Sequence, residues 1–193
     1  MLAVELKSFF AIFATCDIPN KSNYSKQHEF MLSQKLHDAL NAQVNAELWS
    51  AYLYLSMSMH FENASYNGTA NWFRVQFKEE QAHATILMNY VNAHDGKVTL
   101  MPIAEVPTQW ESIADAFKHT LEHEKKVTSL INDLYTLAVE ENDYASQSML
   151  KWFIDEQVEE EETARNFIDD LKKIGDHGYG LYMFDKELAA RVY

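Results

Sequence analysis

Four glutamates, Glu47, Glu80, Glu124 and Glu160, fall inside apolar stripes of helical period, at positions where a leucine would be ordinary. A carboxylate taken out of water costs several kcal/mol unless a partner compensates it. The one basic candidate on the same faces is His83, a better metal ligand than counter-charge. Bound cation is the simplest compensation, and four carboxylates match the charge of two divalent ions. Glu80 and His83 stand at i and i+3, so both side chains reach one metal from one helix face. Carboxylate plus imidazole suits iron, manganese or zinc. A lone Glu-x-x-His is a common coincidence of helix surfaces. Glu47 and Glu124 on other stripes reverse those odds. In the arrangement this suggests, Glu80 bridges two metals, one also held by Glu47 and His83 and the other by Glu124 and Glu160, with Gln157 nearby. Positions remain open for water or oxygen, which keeps iron in such a site oxidisable and exchangeable.

A second group, Glu79, Glu156 and Glu159, sits one step round the same helices and could, with Glu160, hold a third and weaker metal. A solvated acidic face explains these residues equally well, because 156–162 is largely a charge run. Tyr54 lies two turns beyond Glu47 on the same face and could donate a hydrogen bond or an electron, although spacing alone favours a packed core aromatic. Trp152, near the face of Glu160, reads as packing. His123 should point away from the stripe of Glu124, and His37, His60, His94, His119 and His177 read as surface residues.

These residues need four long helices. The stripes predict helices from about Ser33 to Met59, from an N-cap at Thr69 to about His94, from Glu111 to Ala138 and from Tyr144 to Lys173. Gly96 is suited to a left-handed cap on the second, and Gly175, Gly178 and Gly180 break the fourth pattern. Asp185 could cap a short last helix through Ala190. Between the second and third helices, 97–108 carries Pro102 and Pro107 and should be extended. Twelve extended residues cover about 40 Å, the length of a helix of about 26 residues. That link can cross the whole bundle and set the third helix parallel to the second. The fold expected is all-α: a ferritin-like four-helix bundle with one long crossover and a short C-terminal fifth helix.

The chain of 193 residues, 47% hydrophobic and with 5 Gly and 3 Pro, suffices for one domain with a real core. Its net charge of −13 disfavours nucleic acid and anionic membrane as partners. One cysteine, Cys16, allows neither an intrachain disulfide nor a paired-cysteine metal motif. No stretch reaches the roughly 20 apolar residues that a spanning helix needs. Residues 1–30 read as an extension, disordered or not native, ahead of a ferritin-like domain at 31–193. Its apolar run from Phe9 to Thr15 makes a poor signal peptide, since Glu5 offsets the charge of Lys7. A cytoplasmic location is expected, with secretion the minor alternative. The sequons at Asn20, Asn23, Asn63 and Asn67 would matter only on secretion.

From about Met31 onward the chain resembles the bacterial non-haem ferritins. The likeness is carried by Ala46-Glu47-Leu48-Trp49-Ser50, by Lys78-Glu79-Glu80-Gln81-Ala82-His83-Ala84, by Glu156-Gln157-Val158-Glu159-Glu160-Glu161 and by Gly180-Leu181-Tyr182-Met183-Phe184-Asp185. The resemblance implies a shell of twenty-four copies and a ferroxidase centre at Glu47, Glu80, His83, Glu124, Gln157 and Glu160. It also implies a tyrosine of the family at Tyr54, and a third iron site at Glu79, Glu156 and Glu159. The implied reaction is oxidation of two Fe(II) by dioxygen or peroxide, followed by deposition of ferric oxide. Bacterioferritins and rubrerythrins carry a second Glu-x-x-His on the last bundle helix, where this chain has Gln157-x-x-Glu160. No haem is expected; Met57 and Met59 are the methionines whose spacing alone would permit one. Two other readings compete: a structural shell subunit that nucleates mineral without fast oxidation, and a di-metal carboxylate oxidase acting on an organic substrate.

Overall fold

The computed structural model describes residues 32–193. The apolar run at Phe9–Thr15, Cys16, the sequons at Asn20 and Asn23 and the proposed extension at 1–30 lie outside the described residues. Five helices follow in order: α1 Gln34–Asn63, α2 Asn67–Ala93, α3 Ile113–Glu140, α4 Tyr144–Ile174 and α5 Gly178–Leu188. Residues 64–66 join α1 to α2, and 141–143 join α3 to α4, so each pair is antiparallel. Residues 94–112 carry no helix or strand and cross between the pairs. The expected bundle with one crossover is the fold observed.

The crossover is held along α1 by side chains one turn apart. Asn41 Oδ1 accepts from Thr99 N at 2.7 Å, and Asn45 Oδ1 accepts from Met101 N at 2.6 Å. Asn45 Nδ2 donates to Thr99 O at 3.0 Å, and further down Ser56 Oγ donates to Pro107 O at 2.6 Å. These bonds satisfy backbone groups that no sheet or helix serves. His37, expected at the surface without a partner, joins the same ladder through Lys97 N at 3.1 Å. His119 is half-buried and accepts from Trp110 Nε1 at 3.0 Å.

Several helix ends differ from expectation. Ser33 caps α1 through Leu36 N, and Ser112 caps α3 through Asp115 N, each at 3.1 Å. Thr69 is not the cap of α2; it is buried inside the first turn, and the cap position is Tyr66, which gives no side-chain bond. Asp185 does not start the last helix but lies within α5, where His177 is the cap. Its carboxylate accepts instead from Thr69 N at 2.8 Å and from Gly68 N at 3.1 Å, and so caps α2 from another helix. Gly68 permits this approach, because a Cβ there would stand 1.6 Å from Asp185 O. Gly178 and Gly180 lie in the first turn of α5. At the end of α2 the left-handed residue is Asp95, at φ 55°, and not Gly96. Gly96 is needed for closeness, since a Cβ there would press on His37 and Val91 at 2.9 Å.

The core forms two apolar clusters stacked along the bundle. One gathers Leu53, Met57, Phe61, Phe73, Phe117 and Leu171 near α5. The other gathers Leu36, Leu40, Leu87, Ile131, Leu150 and Phe153 at the opposite end. On every long helix the residues between the two clusters are polar and buried: Glu47, Glu80, His83, His123, Glu124, Gln157 and Glu160.

Candidate metal centre

Each helix delivers its part of this polar layer by periodicity. Glu47 follows Leu40 and Val44 on the buried face of α1, and Gln43, also buried, holds it. On α2, Gln76, Glu80 and His83 occupy the buried face between Phe73 and Leu87. On α3, Glu124 lies between Phe117 and Ile131, and on α4 Gln157 and Glu160 lie between Phe153 and Ala164. Glu47 and Glu124 are each 1% exposed, Glu80 3% and His83 5%.

Ligand atoms of Glu47, Glu80 and His83 all lie within 4.8 Å of one another. His83 Nδ1 stands 3.4 Å from Glu80 Oε2. The His83 ring meets the edges of Trp152 and Phe153, with centroids at 5.4 and 5.9 Å, so aromatic contacts orient the imidazole. Trp152 itself remains partly exposed. Gln43 Nε2 donates to Glu47 Oε1 at 2.8 Å, whereas Glu47 Oε2 is buried with no hydrogen-bond partner. An orphaned buried acceptor costs the desolvation of the group. A cation beside His83 and Glu80 would satisfy it.

The other half of the layer centres on Glu124. Tyr54, fully buried, donates its hydroxyl to Glu124 Oε1. Gln157 Nε2 donates to Glu124 Oε2 at 3.1 Å. Gln76 Nε2 bridges Glu160 Oε1 at 2.8 Å and Glu80 Oε1 at 3.2 Å, which ties α2 to α4. Gln76 did not stand out in the sequence, although its place one turn before Glu80 puts it on the same face. Its Oε1 is also buried without a partner.

The carboxyls of the layer hold their protons far above the ordinary range. Burial, then the charge of Glu80, pushes Glu47 up to about 8. Burial, then Glu124, pushes Glu160 up to about 8, against the opposing pull of Gln76 and Arg191. Burial raises Glu124 to about 7 while the bonds from Tyr54 and Gln157 hold it down. Glu80 is raised in the same direction by burial and by Glu124 and Glu160. Tyr54 is driven well above the usual phenol range by burial and then by Glu124, so it stays a donor. Without metal, then, burial and mutual repulsion favour the protonated form of these carboxyls.

His123 departs from expectation. It is buried and hydrogen-bonded to Ser50 Oγ at 2.8 Å, between the rings of Trp49 and Tyr54. Burial lowers it to about 4, so it is neutral. The buried line of α3 runs through Thr120, His123, Val127 and Leu134, with Leu121, Thr128 and Tyr135 only partly covered. The stripe is turned from the one read in the sequence. His83 is therefore not the only imidazole on the inner faces.

The outer acidic residues are less enclosed. Glu79 and Glu156 are half-buried and Glu159 is exposed. Glu156 is raised by burial, with further upward pushes from Glu159 and Glu79. Glu79 is ion-paired with Arg191.

The sequence matches the ferritin family, described as a ferritin-like domain, over residues 37–174. It is 40% identical over 161 residues to the bacterial non-heme ferritin of Bacteroides fragilis (strain 638R), a match covering 83% of this chain and 100% of that protein. The bacterial non-heme ferritin of Staphylococcus haemolyticus is 41% identical over 163 residues, covering 84% of this chain and 98% of the relative. Among solved structures, an open pore ferritin from the hyperthermophilic archaeon Archaeoglobus fulgidus superposes with a TM-score of 0.83 at 42% identity. That superposition covers 83% of this chain and 99% of the archaeal one.

Proposed function

This chain belongs to the ferritin family, and we propose that its buried carboxylate layer is a ferroxidase centre serving iron storage. Two Fe(II) ions enter as substrate. Glu47, Glu80 and His83 hold one; Glu80, Glu124 and Glu160 hold the other, with Gln157 alongside. Each Fe(II) gives up one electron. Dioxygen takes the pair and, with two protons, becomes hydrogen peroxide. Hydrogen peroxide as oxidant takes the pair with two protons and yields two waters. The ferric product then leaves for hydrated oxide mineral inside a shell of twenty-four copies in the cytoplasm. Glu79, Glu156 and Glu159 form an outer, third station.

The observation that carries this reading is the burial of four carboxylates beside the His83 imidazole, including an oxygen, Glu47 Oε2, that no protein donor serves. A purely structural subunit gains nothing from such a layer, because apolar side chains of the same volume would fill it at lower cost. Raised carboxyls release protons when metal arrives, and the incoming charge replaces them. Tyr54 and Gln157 fix Glu124 from both sides, so its oxygens are placed before metal enters. Shell assembly is supported by the likeness to ferritins. Exposed apolar side chains on the crossover, Leu100, Met101 and Ile103, support it too, as material for contact between copies.

The double variant Glu80→Ala with Glu124→Ala tests the assignment. Fast oxidation of Fe(II) should vanish while the bundle still folds. Unchanged oxidation would show that the chemistry is elsewhere.

A further inference from the structure

The first turn of α2 holds the one Asn-Gly step in the sequence, Asn67-Gly68. Asn67 is exposed and Gly68 is buried. An asparagine followed by glycine is the pair most prone to lose its amide, because no side chain shields the next backbone nitrogen. In that reaction Gly68 N attacks Asn67 Cγ. The N–Cγ bond forms, the Cγ–Nδ2 bond breaks, and ammonia leaves with the proton from Gly68 N. Water then opens the five-membered imide at either carbonyl and leaves aspartate or isoaspartate. Water is the only co-reactant.

The fold both creates this step and guards it. A Cβ at position 68 would stand 1.6 Å from Asp185 O, so the approach of α5 imposes the glycine. At the start of α2, Gly68 has no intrahelical acceptor for its N–H, and Tyr66 supplies no side-chain cap. The acceptor is Asp185 Oδ2 at 3.1 Å. That carboxylate is 8% exposed, and its other oxygen accepts from Thr69 N at 2.8 Å and Thr69 Oγ1 at 3.0 Å. While these bonds hold, the helical backbone keeps the attacking nitrogen turned away from Asn67 Cγ. A carboxylate accepting from an N–H also opposes loss of the proton that the attack must release.

We infer that Asn67 is a latent deamidation site gated by Asp185, whose amide is lost when α5 lifts from α2. The modification reinforces itself. The new carboxylate adjoins the residue that Asp185 must rejoin and repels it. Isoaspartate also adds a methylene to the main chain, which shifts Gly68 N out of register. Chains that have opened at this contact are thereby marked covalently.

The test incubates the full-length, assembled protein at pH 8 and follows the peptide carrying Asn67 by mass spectrometry, with enzymatic methylation of isoaspartate as the second readout. The wild type should react at Asn67 at least about tenfold more slowly than a synthetic peptide spanning Asn63 to Phe73, because the rate follows the open population. Asp185→Ala should close most of that gap. Asp185→Asn keeps one carbonyl acceptor and should fall between. Ser112→Ala removes the cap of α3 but leaves the Asp185 bonds in place, and it should stay as slow as the wild type, which separates local opening from general destabilisation. Should Asp185→Ala fail to fold, amide hydrogen exchange at Gly68 of the wild type decides: protection is expected, and exchange as fast as in the peptide overturns the gate. Deamidation of the wild type at the peptide's rate would overturn it too. So would Asp185→Ala as slow as the wild type, or Ser112→Ala as fast as Asp185→Ala.

Discussion

Tyr54 on α1 donates its hydroxyl to Glu124 on α3, and this bond crosses the polar layer from one helix pair to the other. The phenol is fully buried, and Glu124 is one of the forces keeping it protonated. In return the bond holds the Glu124 carboxyl down toward ionisation. Replacing Tyr54 by Phe keeps the ring stacked near Phe73, at 6.0 Å between centroids, and removes only the donor. A net hydrogen bond of about 1 kcal/mol then predicts roughly fivefold weaker metal binding and little loss of fold. Zinc calorimetry on Tyr54→Phe measures this; unchanged affinity would show that the bond does not tune Glu124.

The raised carboxyls fix the sign of a pH dependence. Unfolded, Glu47 and Glu160 would titrate near 4.5; folded, they do so at about 8. Their contribution to the stability of the metal-free protein is full below the unfolded value and is lost as pH rises through the folded one. His123 acts in the opposite sense, since its folded value of about 4 lies under the ordinary 6.5. Its contribution is full above 6.5 and is lost as pH falls toward 4. Above 6.5 the carboxyls therefore act alone. The melting temperature of the metal-free protein should fall between pH 6.5 and about 8, and that of the zinc-loaded protein should fall less. A metal-free melting temperature that climbs through that range would contradict the burial of ionisable charge.

Burial of charge also predicts a stabilising substitution. Glu47→Gln retains the shape and the capacity to hydrogen-bond but cannot ionise beside Glu80. At pH 8 the metal-free variant should melt above the wild type, while its zinc affinity drops by at least an order of magnitude through the lost ligand. Loss of affinity without a gain in metal-free stability would mean that the layer is not under electrostatic strain.

Much of this was readable in the residues because helical period decides which side chains are buried. Stripes through Leu36, Leu40 and Val44, or Phe153, Gln157 and Glu160, returned the helices within a few residues at each end and put the four glutamates on inner faces. Connection lengths returned the topology, since twelve residues with two prolines can run the length of a helix. His123 was misread because the α3 stripe admits two neighbouring lines, one through Leu121 and Thr128 and one through Thr120 and Val127. Only packing against Ser50 and Trp49 chooses between them. Asp185 was misread because a cap donated from a distant helix leaves no local spacing. Arg191 and Glu79 are 112 residues apart, and nothing local in the sequence joins them.

The Asp185 cap makes its own prediction. Its carboxylate serves Thr69 N, Thr69 Oγ1 and Gly68 N at the start of α2, where no local side chain does so. Asp185→Ala should destabilise the fold by about 2 kcal/mol and leave oxidation per folded chain unchanged. Gly68→Ala should cost more, because its Cβ would strike the α5 backbone. Denaturant unfolding of the two variants checks both the order and the size.

The buried layer is proposed to oxidise iron in pairs. Its most direct test is an oxygenated Fe(II) titration of the purified protein, following rapid absorbance change and oxygen use together. A fast phase should saturate at about two irons per chain and disappear in the Glu80→Ala, Glu124→Ala double variant. Oxidation no faster than in buffer alone would contradict it and leave a shell subunit that only nucleates mineral.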